Sequence, residues 1–340
     1  MLLSICIPIF NNYAQLNQTL RSMLKSDSED FEVIIIDNCT PPENIHIEFT
    51  DKRLVIINRN IAVDGRINLW DSIKYGHGKY VMFCLDKDYI QGEEIVTFIQ
   101  TLKENPELKG GYCAINKKKG KRKIRILHKK SLRHMYLGRH PSGEFFLRDI
   151  VNEVYRYINY EDPKSSYYLY PFVNDLLLAT AISKGSIMIY NIPFIYTSIK
   201  ISNVSKSKSL TYSPNNKNLY FTPDARIRQM QVNIEHLMLL KLNDNEFKQA
   251  VKWICYNTMD LCTYEYMKIM GREDLCEHYY VQARKITYKE MKNDLAKMLF
   301  AFYKTDISKL RKAQKNIIIG KTSIRFRLKY IKWLLLHKIA

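Results

Sequence analysis

Asp86 and Asp88 stand one residue apart at the end of an apolar run, Val81-Met82-Phe83-Cys84-Leu85. In an extended segment alternate side chains project to the same side, so this spacing lets two carboxylates converge on one cation. Carboxylate oxygens suit hard cations such as Mg²⁺ or Mn²⁺, which keep several waters and bridge to phosphates. A solvated acidic turn at a strand end is the plain alternative. The pair alone does not choose between them, so the surrounding elements must.

Those elements alternate. Leu2 to Ile9 is a short apolar run broken at Pro8-Ile9-Phe10-Asn11-Asn12, and Tyr13 to Lys25 then sets Leu16, Leu20, Met23 and Leu24 on one helical face. Phe31 to Ile36 is a nearly continuous β-branched run, as in a strand covered on both faces, and it ends at Asp37-Asn38. Leu54 to Ile57 reads as a third strand, Ile61 to Tyr75 as a helix closed by Gly76-His77-Gly78, and Tyr80 to Leu85 as a fourth strand. This alternation implies βαβ units and a mostly parallel, Rossmann-like α/β sheet. Ligands bind beyond the carboxyl ends of such strands, so Asn11-Asn12, Asp37-Asn38, Asn58 to Asn60 and Asp86 to Asp88 should share one edge.

Further along, a helix is expected from Gln91 to about Leu108, then a break at Gly110-Gly111 and a strand at Tyr112 to Ile115. Lys117 to Lys130 carries nine Lys or Arg in fourteen residues, as a hairpin or a loop. Gly143 to Tyr157 and Phe172 to Lys184 read as helices, and Ile187 to Tyr196 as a returning strand broken at Pro193. Ser202 to Pro223 shifts to Ser, Asn, Lys and Pro, a linker or lid. Helical patterning runs from Ala225 to the end. Three regions follow: 1–200, a linker at 201–224, and a helical part at 225–340.

The 340 residues are 46% hydrophobic, ample for a core and against wholesale disorder. Seven cysteines without a Cys-x-x-Cys pair argue against a cysteine zinc site and fit a reducing cytoplasm. Met1 to Phe10 lacks the basic start and cleavage site of a signal peptide, and no run approaches the ~20 apolar residues that span a bilayer. The formal net charge of +19 predicts attraction to an anion: nucleic acid, anionic lipid or phosphate-bearing substrates. No aromatic residue interleaves Lys117 to Lys130 for base stacking, which argues against nucleic acid there.

Three stretches in register, Ser4-Ile5-Cys6-Ile7-Pro8-Ile9-Phe10-Asn11-Asn12, Val33 to Asn38, and Gly78 to Asp88, resemble the family 2 glycosyltransferases. The resemblance implies a GT-A fold followed by a C-terminal α-helical domain. It also implies an inverting, metal-dependent enzyme that moves a sugar from a nucleotide-sugar, a UDP-sugar first, to a hydroxyl of a surface glycan or lipid-linked oligosaccharide. Residue by residue, it places Pro8, Ile9, Phe10 and Asn11 at the nucleotide and Asp37 at the nucleobase. Asn68 matches the close of the family's Asn-Gly-Gly-to-Arg-Asn stretch, with Ile67 where many members have Arg and Arg66 beside it as the substitute contact. Asp88 becomes the metal ligand (Mn²⁺ or Mg²⁺), Asp86 serves ribose and metal, and Lys87 adds a phosphate contact. Phe172 to Gly185 resembles the Glu-Asp segment that opens a helix and closes in Lys-Gly. Asp175 there matches the general base, with Asn174 in place of the Glu; a helix-capping Asp is the alternative.

In Gly138-Arg139-His140-Pro141-Ser142-Gly143-Glu144, His140 is a candidate for the acceptor and Glu144 a reserve base. The alternative is a Pro-Gly turn in which Ser142 caps the next helix. Lys321 to Ala340 sets Ile324, Leu328, Ile331 and Leu335 at helical spacing, with Arg325, Lys329 and Lys332 on another face. It is either a terminal packing helix or a peripheral contact with anionic lipid on the cytoplasmic face of the inner membrane. The rival class is a non-catalytic GT-A-like protein that binds anionic glycan, lipid or RNA.

Overall fold

The computed structural model describes residues 1–116, 123–128, 131–197 and 223–269. It divides into two compact units, one of residues 1–131 and 138–211, the other of residues 132–137 and 212–340. Six residues inside the expected first region, Leu132 to Leu137, thus belong with the helical part.

The first unit opens with β1 (Leu3–Ile9), α1 (Tyr13–Met23), β2 (Phe31–Asp37), β3 (Leu54–Asn58), α2 (Gly65–Ser72) and β4 (Tyr80–Phe83). It continues with β5 (Asp88–Ile90), α3 (Glu93–Glu104), β6 (Leu108–Ile115), β7 (Lys123–Leu127), β8 (Glu144–Leu147), α4 (Arg148–Tyr157), α5 (Val173–Lys184) and β9 (Ser186–Thr197). The described strands form one sheet in the order β3-β2-β1-β4-β8-β6-β9, with β5 and β7 both paired to β9. β1, β2, β3 and β4 are parallel, β8 runs against β4 and β6, and β6 is parallel to β9. Within the ordered path up to β9, only β8 is reversed. The expected mostly parallel α/β sheet is what the chain forms.

Alternation along the strands separates two packed faces. Leu3, Ile5 and Ile7 of β1 and Val33 and Ile35 of β2 join Leu16, Leu20 and Met23 of α1 and Phe98, Ile99 and Leu102 of α3 in one buried cluster. Cys6, Ile34 and Ile36 face the other way, toward Val55 and Ile57. Every residue of β2 is buried, which is why its run is unbroken rather than alternating. On the second face α2 is held by Trp70, whose indole N–H donates to the Tyr170 carbonyl (2.6 Å) and whose ring stacks on Tyr160 (4.7 Å).

Four expectations are corrected. Gly110-Gly111 lies inside β6 rather than before it, because β9 approaches so closely that a Cβ on Gly111 would sit 2.0 Å from the Met188 carbonyl oxygen. The helix expected from Gly143 begins only at Arg148; Glu144 to Leu147 is strand, inserted between β4 and β6. The helix expected from Ile61 starts at Gly65, where Asp64 caps it by accepting the Arg66 N–H. β9 runs on through Pro193, with an irregularity in its pairing to β6 rather than a break.

The second unit contains α6 (Pro223–Leu239), α7 (Asp244–Ile269) and a short 3-10 turn at Leu132–His134. In it the buried Tyr136 hydroxyl and His236 Nδ1 share a hydrogen bond (2.7 Å), and burial pushes His236 down to about 3, so its ring stays neutral. Among the described residues, no helix is long and apolar enough to cross a membrane. Most of Lys117 to Lys130, the expected linker and Lys321 to Ala340 lie outside the described residues.

Candidate active site

The loops after β1, β2 and β4 gather at the carboxyl edge of the parallel strands. Ile9 is buried, Pro8 is half-buried, and Phe10 and Asn11 are exposed at the mouth. Asn11 and Cys39 both adopt positive φ (57° and 63°), the sparsely used region that lets each chain turn sharply off its strand. The two turns are tied together. Asp37, the last residue of β2, accepts the Thr40 N–H (2.7 Å) and the Thr40 hydroxyl, and that hydroxyl accepts the Asn11 N–H (3.0 Å). Tyr13 lies close by, its phenol pushed up first by burial and then by the Asp37 charge. Asn38 clasps Val63 through two hydrogen bonds, 2.8 and 2.9 Å, and so brings the loop after β3 to the same edge.

Asn68 and Arg66 sit differently from a pair free to meet a nucleotide. Asn68 accepts from Arg59 Nε (2.9 Å) and donates to the Ile36 carbonyl (3.3 Å). Arg66 is buried and bonded to Asp64 through both Nε (2.8 Å) and a terminal nitrogen (2.9 Å). Asn68 fastens α2 to the sheet, and Arg66 holds the capping residue Asp64 at the start of the helix.

The Asp86–Asp88 pair is not on one extended segment. β4 ends at Phe83, the Asp88 N–H returns to the Leu85 carbonyl (2.9 Å), and β5 begins at Asp88. Asp86 and the exposed Lys87 therefore form a turn, and strand alternation is not what relates the two carboxylates. Asp86 is pushed up to about 6, chiefly by burial, with Asn12 and Lys87 opposing and the Asp88 charge adding to the rise. Asp88 is fully buried. Its Oδ2 accepts from the Ser142 hydroxyl and from His140 Nε2 (2.5 Å), while its Oδ1 has no hydrogen-bond partner among the described residues.

An orphaned, buried carboxylate oxygen beside a second carboxylate fits a divalent cation. Among the described residues no three His, Cys, Asp or Glu side chains gather around a common point. One or two carboxylates completed by substrate phosphates is the arrangement such cations commonly take.

Across this edge α5 begins. Asp175, in its first turn, is fully buried, and both of its oxygens lie 3.0 Å from the Gly138 backbone nitrogen. The N-cap position is Phe172, with no side-chain cap, so Asp175 holds a neighbouring loop rather than the helix end. Asn174 donates to the Arg139 carbonyl (3.2 Å), so the two side chains clamp residues 138 and 139. Glu144, first residue of β8, is buried with both carboxylate oxygens lacking a hydrogen-bond partner among the described residues, and Arg139 Nε is 3.7 Å away. Burial pushes Glu144 up to about 8; the Arg139 charge opposes this and Asp175 reinforces it. Arg139 also lies 3.8 Å over the Tyr112 ring. Ser142, expected as a helix cap, is instead a partner of Asp88. Arg139 and Ser142 went unselected by sequence reasoning, though polar groups crowded between two glycines were the available signal.

A twisted α/β sheet with acidic groups at the ends of β2 and β4 defines the GT-A class of fold. Residues 4–154 match the model of glycosyl transferase family 2. A Haemophilus influenzae protein described as an uncharacterized glycosyltransferase is 28% identical over 108 residues, 32% of this chain and 36% of its own length. The chain thus spans about a third of that curated relative. The crystal structure of S. aureus TarS superposes with a TM-score of 0.56 at 12% identity, covering 96% of this chain and 54% of TarS. TarS 1–349 in complex with UDP gives 0.57 at 13% identity, over 94% of this chain and 92% of that one. At such identities the likeness is one of fold.

Proposed function

We propose that the chain is an inverting, metal-dependent glycosyltransferase that moves a sugar from a nucleotide-sugar, a UDP-sugar first, to a hydroxyl of a surface glycan or lipid-linked oligosaccharide. The observation that carries this reading is the buried Asp88 carboxylate with one unpartnered oxygen, at the strand edge that also holds Asp37 and Asp86. The family 2 match over residues 4–154 supports it, as does the likeness to a protein solved with UDP.

In this reading Ile9, Phe10 and Asn11 line the nucleotide's entry and Asp37, fixed by Thr40, addresses the base. Asp88 Oδ1 and Asp86 would hold Mn²⁺ or Mg²⁺, with Lys87 exposed beside them for a phosphate. The cation, when bound, neutralises charge on the departing diphosphate. Asp175 takes the proton of the attacking hydroxyl, which lies opposite the leaving group in a single displacement. Glu144 and Arg139 form the floor of the acceptor side. The buried setting strengthens every charge interaction at the centre.

The test is a panel of nucleotide sugars with Mn²⁺, read by protection against thermal unfolding and by donor hydrolysis. At least one donor should stabilise the wild type, and Asp88→Asn should abolish the effect; failure of every donor removes the enzyme reading. One observation favours a rival, a non-catalytic binder of anionic glycan, lipid or RNA: Asp175 is wholly buried and engaged by Gly138. Donor stabilisation without turnover, unchanged in Asp175→Asn, would select that rival.

A further inference from the structure

We propose that His140 and Ser142 are positioning residues for Asp88, together occupying Oδ2 so that Oδ1 alone is presented to the cation. This rests on the reading of Asp88 as a metal ligand and goes beyond it. Neither residue follows a strand of the parallel edge; both come from the loop that leads into β8, more than fifty positions along the chain from Asp88.

The geometry is over-determined. The Ser142 hydroxyl has one proton, and it goes to Asp88 Oδ2. Ser142 Oγ in turn accepts the Leu85 N–H (2.8 Å), from the turn that carries Asp86 and Asp88. Ser142 therefore reads the backbone and the carboxylate of that turn at once, and its rotor is fixed. Two backbone bonds lock the loop behind it: Gly143 N–H to the Phe83 carbonyl (2.8 Å) and Cys113 N–H to the Gly143 carbonyl (2.9 Å). His140 completes the set, with Nε2 2.5 Å from Oδ2. A carboxylate can only accept, so Nε2 carries the hydrogen, and the ring, 29% exposed, stands between Asp88 and solvent.

Two donors on one oxygen and, among the described residues, none on the other is an asymmetric arrangement. Both donors draw on the same lone pairs of Oδ2, which leaves the lone pairs of Oδ1 the better site for a cation. A carboxylate oriented in this way loses no rotational freedom when the cation arrives. Hydrogen-bond partners of metal ligands commonly account for about 10- to 100-fold in metal affinity. His140 is thereby reassigned from the acceptor to the donor side of the centre, and Ser142 from a helix cap to the same task.

The measurement is Mn²⁺ affinity of the full chain with UDP present, by electron paramagnetic resonance or calorimetry, in wild type, Asp88→Asn, His140→Ala, His140→Gln and Ser142→Ala. His140→Ala and Ser142→Ala should each weaken Mn²⁺ binding about 10- to 100-fold, with melting temperatures measured without metal close to wild type. His140→Gln, whose amide nitrogen reaches the place of Nε2, should recover most of the loss. If wild type binds Mn²⁺ and both Ala variants bind it equally well, the positioning role is wrong while the Asp88 reading stands. Failure of His140→Gln to recover binding also overturns it, because the hydrogen bond is then not the cause. If wild type binds no Mn²⁺, or Asp88→Asn binds as wild type does, the ligand reading of Asp88 fails first.

Discussion

At the scale of single residues, the carboxyls at this edge differ by what surrounds them rather than by what they are. Glu144 is buried, with the Arg139 charge close by to oppose the effect of burial, and sits at about 8, against an ordinary value of 4.5. The folded protein therefore holds its proton more tightly than the unfolded chain does. That contribution to stability is whole below about 4.5 and is lost as pH rises to about 8. Glu144→Gln removes the titration, so urea denaturation should show the variant gaining on wild type as pH rises across this window. One pKa unit is worth about 1.4 kcal/mol, so the gain is at most about 5 kcal/mol. A pH-independent difference would mean that Glu144 does not titrate there. For Asp175, replacement by Asn keeps shape but not basicity, so transfer should fall by about 10²- to 10⁴-fold while donor binding survives. Loss of donor binding would mark a structural role.

At the scale of elements, the long apolar runs were legible because each had to be covered on both faces. β1, β2 and β4 stand where their apolar runs put them; Asp37 closes β2, and Asp86 lies in the turn that follows β4. The misreadings share a cause: they lie where tertiary contact overrides local pattern. Glu144-Phe145-Phe146-Leu147 is too short for a two-residue period to show against the helix that follows it. Gly111 looks like punctuation until the Met188 carbonyl is seen against it. Asp86 and Asp88 invited an argument from strand alternation, but a turn intervenes, and the partners that orient Asp88 come from a distant loop. No spacing rule reaches His140 or Ser142 from Asp88. Gly143 shows how tightly that loop is held. Its φ is +82°, and an added Cβ would meet Ile195 Cγ1 at 2.7 Å and Cys113 Cβ at 3.0 Å. Gly143→Ala should cost about 1–3 kcal/mol in urea unfolding and reduce Mn²⁺ affinity with it; an unchanged midpoint would show that the turn relaxes freely.

At the scale of the whole molecule, the charge of +19 gives one further expectation. The Lys321–Ala340 stretch lies outside the described residues, and its basic, aromatic, amphipathic pattern is the part of the chain suited to an anionic bilayer surface. Removing it should weaken binding to vesicles containing anionic lipid, and most strongly at low salt, where charge attraction is least screened. Sedimentation with such vesicles, unchanged by the deletion, would reject the membrane contact.

The reversal of β8 carries a consequence for how disturbance travels. Because this strand alone runs backwards between β4 and β6, it is its beginning, not its end, that reaches the carboxyl edge. Phe145, next to Glu144, points into the layer under α3, its ring 5.1 Å from Phe98 and edge-on to it. Phe146 points the other way, edge-on to Phe83 at 6.3 Å. A slip of one residue would exchange these faces and drive Glu144 into the hydrocarbon layer. Two aromatic contacts on opposite sides of the sheet thus act as detents for the loop above Asp88. A void made at Phe98, on a helix that carries none of the site residues, should therefore register first as slack in the grip of His140 and Ser142.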